Sequence, residues 1–162
     1  MRPRIFLMLL ALMLAASSTA HAGTPVFKLY AGANAVATEG TLDLPSDYEL
    51  GATMRASLTP HVSLVGSAFQ GLAREYTRGS IGPRITATDV DDPNFSVGFG
   101  IEYVACSKPE VRPEEWAPNA VVGWRPAPQK WPRVVLGAQG SYGIDSRQAY
   151  LYVAARYELA AF

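Results

Sequence analysis

From about residue 26 to the end of the chain, apolar and polar residues exchange at every second position, the period at which successive side chains leave opposite faces of an extended strand. Over 26–37, Phe27, Leu29, Ala31, Ala33 and Ala35 share one face and Lys28, Tyr30, Gly32 and Asn34 the other. Over 48–58, Tyr48, Leu50, Ala52, Met54, Ala56 and Leu58 oppose Glu49, Gly51, Thr53, Arg55 and Ser57, the cleanest alternation in the chain. Thr59-Pro60-His61 reads as a tight turn, after which Val62, Leu64, Gly66 and Ala68 oppose Ser63, Val65, Ser67 and Phe69. A fourth strand over 81–90 is interrupted by Pro83, which cannot donate to a ladder from within a central strand. It is retained because the topology needs it.

Asp91-Asp92-Pro93-Asn94 is a dense turn signal, followed by Phe95, Val97, Phe99, Ile101 and Tyr103 facing away from Ser96, Gly98, Gly100 and Glu102. A sixth strand, 117–125, sets Ala120, Val122 and Trp124 against Asn119, Val121, Gly123 and Arg125. A seventh, 133–143, sets Val134, Leu136, Ala138 and Tyr142 against Val135, Gln139 and Ser141. After a turn at Asp145-Ser146, the eighth, 148–160, places Leu151, Val153, Ala155, Tyr157 and Leu159 opposite Tyr152, Ala154, Arg156 and Glu158. The pattern predicts an all-β fold, an eight-stranded antiparallel up-and-down barrel. Its apolar face turns outward to lipid and its polar face inward, because lipid leaves no partner for open edges or bare backbone groups.

The first 22 residues follow a different rule. Arg2 and Arg4 precede an apolar run from Ile5 to Ala16, then Ser17, Ser18, Thr19 and the small-residue pattern Ala20-His21-Ala22 before Gly23. This is the layout of a cleavable signal peptide. Twelve apolar residues in a helix reach about 18 Å, short of the roughly 30 Å of a hydrocarbon core. The expected division is a signal peptide over 1–22 and one barrel domain over 23–162. The lone cysteine, Cys106, is far from the cleavage point, so it carries no N-terminal lipid, and it has no partner for an internal disulfide.

Removing Arg2 and Arg4 with the leader leaves 14 − 2 = 12 basic against 14 acidic residues. Such a balance implies no basic surface for nucleic acid. After the leader no apolar stretch approaches 18 residues, so membrane residence must come from strands. With the N-terminus in the periplasm, odd strands rise and even strands descend. Phe27, Phe95, Trp124 and Tyr157 then fall at the periplasmic rim, and Tyr48, Tyr103 and Tyr142 at the outer rim, as two aromatic girdles.

Leu50-Gly51-Ala52 leading to Leu58-Thr59-Pro60-His61-Val62-Ser63-Leu64, then Gly100-Ile101-Glu102-Tyr103 and the closing Ala155-Arg156-Tyr157-Glu158-Leu159, resemble the small OmpA and OmpX type of outer-membrane barrel over essentially the whole mature chain. The resemblance implies that fold and the outer membrane of a Gram-negative-type bacterium, with outer-membrane lipid, lipopolysaccharide and the barrel-insertion machinery as partners. It implies no activity. The family closes on an aromatic of lipid-facing parity that guides insertion. Phe162 is terminal here but falls in step with Arg156 and Glu158, unless a local bulge restores its phase.

The inward faces carry Lys28, Arg55, Arg125 and Arg156 against Glu49, Glu102 and Glu158, which are expected to pair as an interior ion network, since an isolated charge in a narrow lumen is costly. Inward Gly32, Gly51, Gly98, Gly100 and Gly123 relieve crowding on the curved wall. One histidine in the mature chain, His61, lies in a periplasmic turn, and Ser63 two residues on supplies no nucleophile–base arrangement by itself. Asp89, Asp91 and Asp92 lack the glycine and distal glutamate of a calcium loop. The expectation is no catalysis, no cofactor and no metal.

Recognition then falls to outer loops placed near 38–47, 73–80, 105–116 and 144–147. The third is the most distinctive, with Cys106, Lys108, Pro109, Glu110, Arg112, Pro113, Glu114, Glu115 and Trp116, and is the candidate contact for an external ligand. Trp131 and Pro132 lie in the turn over 126–132. A structural, envelope-integrity or surface-interaction barrel is the first expectation. A narrow channel or solute-binding barrel is the second. A secreted, soluble lipocalin-like barrel, with the two faces exchanged, is the third.

Overall fold

The computed structural model describes residues 25–38, 41–73, 76–87, 94–106 and 114–162. Eight strands follow one another in the chain: β1 (Val26–Thr38), β2 (Thr41–Ser57), β3 (Val62–Gly71), β4 (Tyr76–Thr86), β5 (Phe95–Cys106), β6 (Glu115–Trp124), β7 (Val134–Tyr142) and β8 (Ala149–Ala161). Every neighbour pair is antiparallel, and β8 returns to pair with β1, closing the barrel in sequence order. Closure removes both sheet edges, so the ladder hydrogen bonds have partners around the whole wall.

Alternation becomes sidedness. On β5, Phe95, Val97, Phe99 and Ile101 are exposed on the outside while Ser96 and Glu102 are buried inside. On β8, Leu151, Val153, Tyr157 and Leu159 are exposed, and Tyr150, Tyr152 and Ala154 are buried. On β1 to β3 the outward face is more compact. Phe27, Met54 and Ala68 pack together there, and Ala52 and Ala56 are buried. The charged interior is the reverse of the apolar lumen expected of a lipocalin-like barrel.

Several boundaries differ from the sequence expectation. β4 begins at Tyr76, so most of 73–80, expected as a loop, is strand, and β4 ends at Thr86 rather than near 90. The first half of this strand has the polar inner set Tyr76, Arg78 and Ser80, but its outer set, Thr77 and Gly79, is not apolar enough to show the alternation. Pro83 is accommodated. Gly82 and Pro83 drop out of the β4–β5 ladder while the register continues unbroken from Ile81↔Ile101 to Arg84↔Gly98. Likewise β2 starts at Thr41, inside the expected loop 38–47, and a register shift between Asn34 and Val36 separates its two parts. Ala105, Cys106, Glu115 and Trp116, expected in the loop 105–116, belong to β5 and β6.

The end of β8 carries the local bulge that restores the phase of Phe162. A register shift between Leu29 and Tyr30 takes the pairing from Tyr30↔Glu158 to Leu29↔Ala160, leaving Leu159 as an extra residue. Such a bulge advances the strand by one residue and reverses its facing. Phe162 thereby stands beside outward Phe27 and is 75% exposed. The leader over 1–22, the Asp89, Asp91 and Asp92 turn and the centre of the third loop lie outside the described residues.

Candidate functional site

The site is the lumen, built from inward positions of all eight strands. Its centre is Glu49, which is 1% exposed. Arg156 Nε donates to Glu49 Oε1 at 2.5 Å and Arg78 Nη2 to Oε2 at 3.2 Å. Asn34 Nδ2 reaches Oε2 at 2.8 Å and also contacts the Tyr76 hydroxyl, which itself donates to Oε2 at 3.2 Å. Arg78 Nη1 stands 3.8 Å from Glu102 Oε1, so this guanidinium bridges carboxylates of β2 and β5.

Aromatic faces complete the layer. Phe69 lies between the two arginines, 4.1 Å from the Arg156 guanidinium and 5.2 Å from that of Arg78, and Tyr152 is 4.6 Å from Arg78. The electron-rich ring faces attract the cations in a space too narrow for a full hydration shell. Gly51 permits the stack, because it pairs with Phe69 across β2 and β3 and a Cβ there would run into the ring. Five strands thus meet in one cross-brace of two arginines, two glutamates and two rings.

A second group sits towards the end where the barrel's two termini lie, the start of β1 and the close of β8. Lys28 Nζ and Arg125 Nη2 both bond Glu158 Oε2, at 2.9 and 2.8 Å, and Arg125 Nη1 donates to the Pro132 carbonyl at 3.0 Å. Arg55, on β2, is buried beside them and lines the same cavity. At the far end, Glu115 is buried under the 143–148 connection. It accepts from the Ser146 backbone N–H at 3.1 Å and from its hydroxyl at 2.9 Å. Arg147 holds the turn with φ of 58°, a left-handed conformation uncommon outside glycine.

Sequence reading placed Asn34 on the inward face of the first strand but missed Arg78, Arg84, Tyr76 and Glu115 as lumen residues. Arg78 and Arg84 follow from one signal, the polar parity Tyr76, Arg78, Ser80, Gly82 and Arg84 running through the segment that Pro83 obscures. His61 is exposed in its turn, its backbone N–H on the Thr59 hydroxyl, whereas the Ser63 hydroxyl is buried inside the wall. Base and hydroxyl therefore do not share a site.

Outside, Phe95 and Trp124 are register partners at the termini end, and Phe27 lies beside Phe162. Tyr157 pairs with Val134 near the start of β7. Tyr48 and Tyr142 are exposed at the far end, where Tyr103 packs at a tilt against Trp116, ring centroids 4.8 Å apart, and contacts Glu114 through its hydroxyl.

No protein-family model matches the chain, and no curated protein sequence does. Among solved structures, the chain is similar to three at low identity. Ail, the attachment invasion locus protein of Yersinia pestis, in complex with the heparin analogue sucrose octasulfate, is 13% identical over 86% of this chain and 100% of its own, with a TM-score of 0.46. The N-terminal β-barrel domain of Pseudomonas aeruginosa OprF is 10% identical over 85% and 97%, with a TM-score of 0.48. A de novo designed transmembrane β-barrel is 15% identical over 82% and 95%, with a TM-score of 0.43. Likeness at this level attaches no ligand or activity to the chain.

Proposed function

We propose that the chain is a small outer-membrane β-barrel with a structural, envelope-integrity role. Its leader over 1–22 directs export, and residues 23–162 form the membrane-resident domain. The observation that carries this reading is the pairing of a closed wall, apolar and exposed outward on β5 to β8, with a lumen crossed by the Glu49–Arg78–Arg156 brace. A wall of that kind is stable against acyl chains and unstable in water, while a braced lumen holds the wall rigid without serving as a wide pore. Phe27, Phe95, Trp124 and Tyr157 then anchor the periplasmic rim, and Tyr48, Tyr103 and Tyr142 the outer one. The interior network of Lys28, Glu49, Arg55, Glu102, Arg125, Arg156 and Glu158 has a structural role, and no catalysis is assigned. Surface contact, including contact with lipopolysaccharide, falls to the connections 39–40, 72–75, 107–114 and 143–148.

Fractionation after expression with the leader tests the assignment. The protein is expected in the outer membrane, migrating faster on gels before boiling than after. Recovery as a soluble periplasmic protein would sink it. A second reading, a narrow solute path, is favoured by cavities of about 90 and 60 Å³ in the lumen that share Tyr30, Thr53, Arg84 and Val135. Planar bilayers decide between them: the structural reading expects no stepwise conductance, the path reading discrete anion-selective steps.

A further inference from the structure

One lumen arginine is left over by the ion pairs. The side chain of Arg84, inward on β4, has no hydrogen bond and no carboxylate partner among the described residues. It lines the cavity of about 90 Å³ near the termini end together with Lys28, Arg55 and Arg125, and no carboxylate of the described residues forms part of that wall. Glu158 relieves this excess only in part, because one of its oxygens serves both Lys28 and Arg125. The Ser63 hydroxyl, wholly buried on the same wall, has no hydrogen-bond partner. Gly123 keeps the space open: a Cβ there would lie 2.9 Å from Ser96 Oγ and 3.9 Å from Arg84 Nη1.

We propose that this cavity binds a small tetrahedral oxyanion of the phosphate or sulfate class, held by the Arg84 guanidinium and the Ser63 hydroxyl. An unpaired cation in a narrow interior, surrounded by like charges, is costly until a counter-charge arrives. Guanidinium nitrogens match the oxygens of such an anion in pairs, and a hydroxyl donor answers a third. The oxyanion has two sources, free phosphate from the aqueous side and a phospholipid headgroup at the rim.

Inorganic phosphate is titrated into the full mature barrel in an alkyl maltoside, which carries no phosphate, at constant ionic strength set with chloride. Saturable broadening of the ³¹P resonance and an unfolding midpoint that climbs with phosphate concentration are expected, since a ligand of the folded state alone stabilises it by mass action. Arg84→Gln is expected to weaken binding at least tenfold and Ser63→Ala severalfold, while Arg147→Gln, in the exposed far turn, leaves it unchanged. Heat-modifiable migration verifies that each variant is folded, and Ser63→Ala carries the test should Arg84→Gln fail to fold. No saturable response in the wild type, a response indifferent to both lumen substitutions, or an equal response to chloride overturns the proposal. Repeating the titration in phospholipid bicelles separates the sources: a wild-type response lost only there assigns the site to headgroups, and one retained assigns it to free phosphate.

Discussion

Phe162 and Phe27 exchange both backbone hydrogen bonds, at 2.8 and 3.0 Å, and their rings stand 6.4 Å apart on the outer side of the closing seam. The bulge at Leu159 makes this pairing possible, because strict alternation from Arg156 would turn the last ring inward. The seam is where the barrel closes, so its final pair is formed only when the first and last strands meet.

The bulge yields a prediction that parity alone does not. Deleting Leu159 restores regular alternation and still leaves Phe162 outward beside Phe27, so insertion into membranes is expected to remain near wild type. Deleting Leu159 and Ala160 together places Phe162 opposite inward Lys28 and is expected to reduce the folded, heat-modifiable fraction as much as Phe162→Ala does. Equal fractions for the single and the double deletion would show that the facing of Phe162 is irrelevant.

The brace predicts an unequal response to charge removal. Glu49→Gln leaves Arg78 and Arg156 without the carboxylate that answers both, and is expected to cost about 3–5 kcal/mol, the range for breaking a buried pair from one side. Lys28→Gln leaves Glu158 still bonded to Arg125, and its loss is expected to be smaller. Reversible urea unfolding in lipid vesicles measures both. The order of the two losses is the check.

Gly51 makes a packing prediction. Gly51→Ala places a methyl group where the Phe69 ring lies and is expected to destabilise by about 1–3 kcal/mol, the usual cost of overpacking. Phe69→Leu in the same chain is expected to recover part of that loss in a double-mutant cycle, because the two residues share the contact. Strict additivity would mean that the ring had moved away.

The wall predicts its own lipid exposure. Nitroxides at Phe99 and Val153, outward on β5 and β8, are expected to be accessible to bilayer-borne relaxation agents, while one at Gln139, inward on β7, is shielded. Trp124 and Trp116, exposed on opposite ends of β6, are expected to be quenched by bromine placed near the headgroups more than by bromine at the chain ends. Reversal of the Phe99 and Gln139 accessibilities would reject the sidedness and the membrane reading with it.

Seven strands were legible over most of their length because each carries a period of two with mainly apolar outward residues, as in Phe95 to Ile101 or Leu151 to Tyr157. The fourth was legible only in its second half. Thr77 and Gly79 on its outer face carry too little hydrophobic contrast, and Pro83 breaks the pattern where Gly82 and Gly100 let the two backbones approach. With that half missed, Arg78 was placed in a loop, although it sits at the centre of the lumen.

By itself the sequence determined the strand count, the two faces and the presence of opposite charges on the inner one, since side-chain facing in a strand is a local property of the backbone. Only the closed barrel decided who meets whom. Arg156 and Glu49 are 107 residues apart in the chain and become neighbours because β8 returns to β1 and the lumen is narrow enough for side chains to cross. Tertiary closure likewise left Arg84 among cations and turned Phe162 outward, because lumen diameter and seam register are properties of all eight strands together and of none alone.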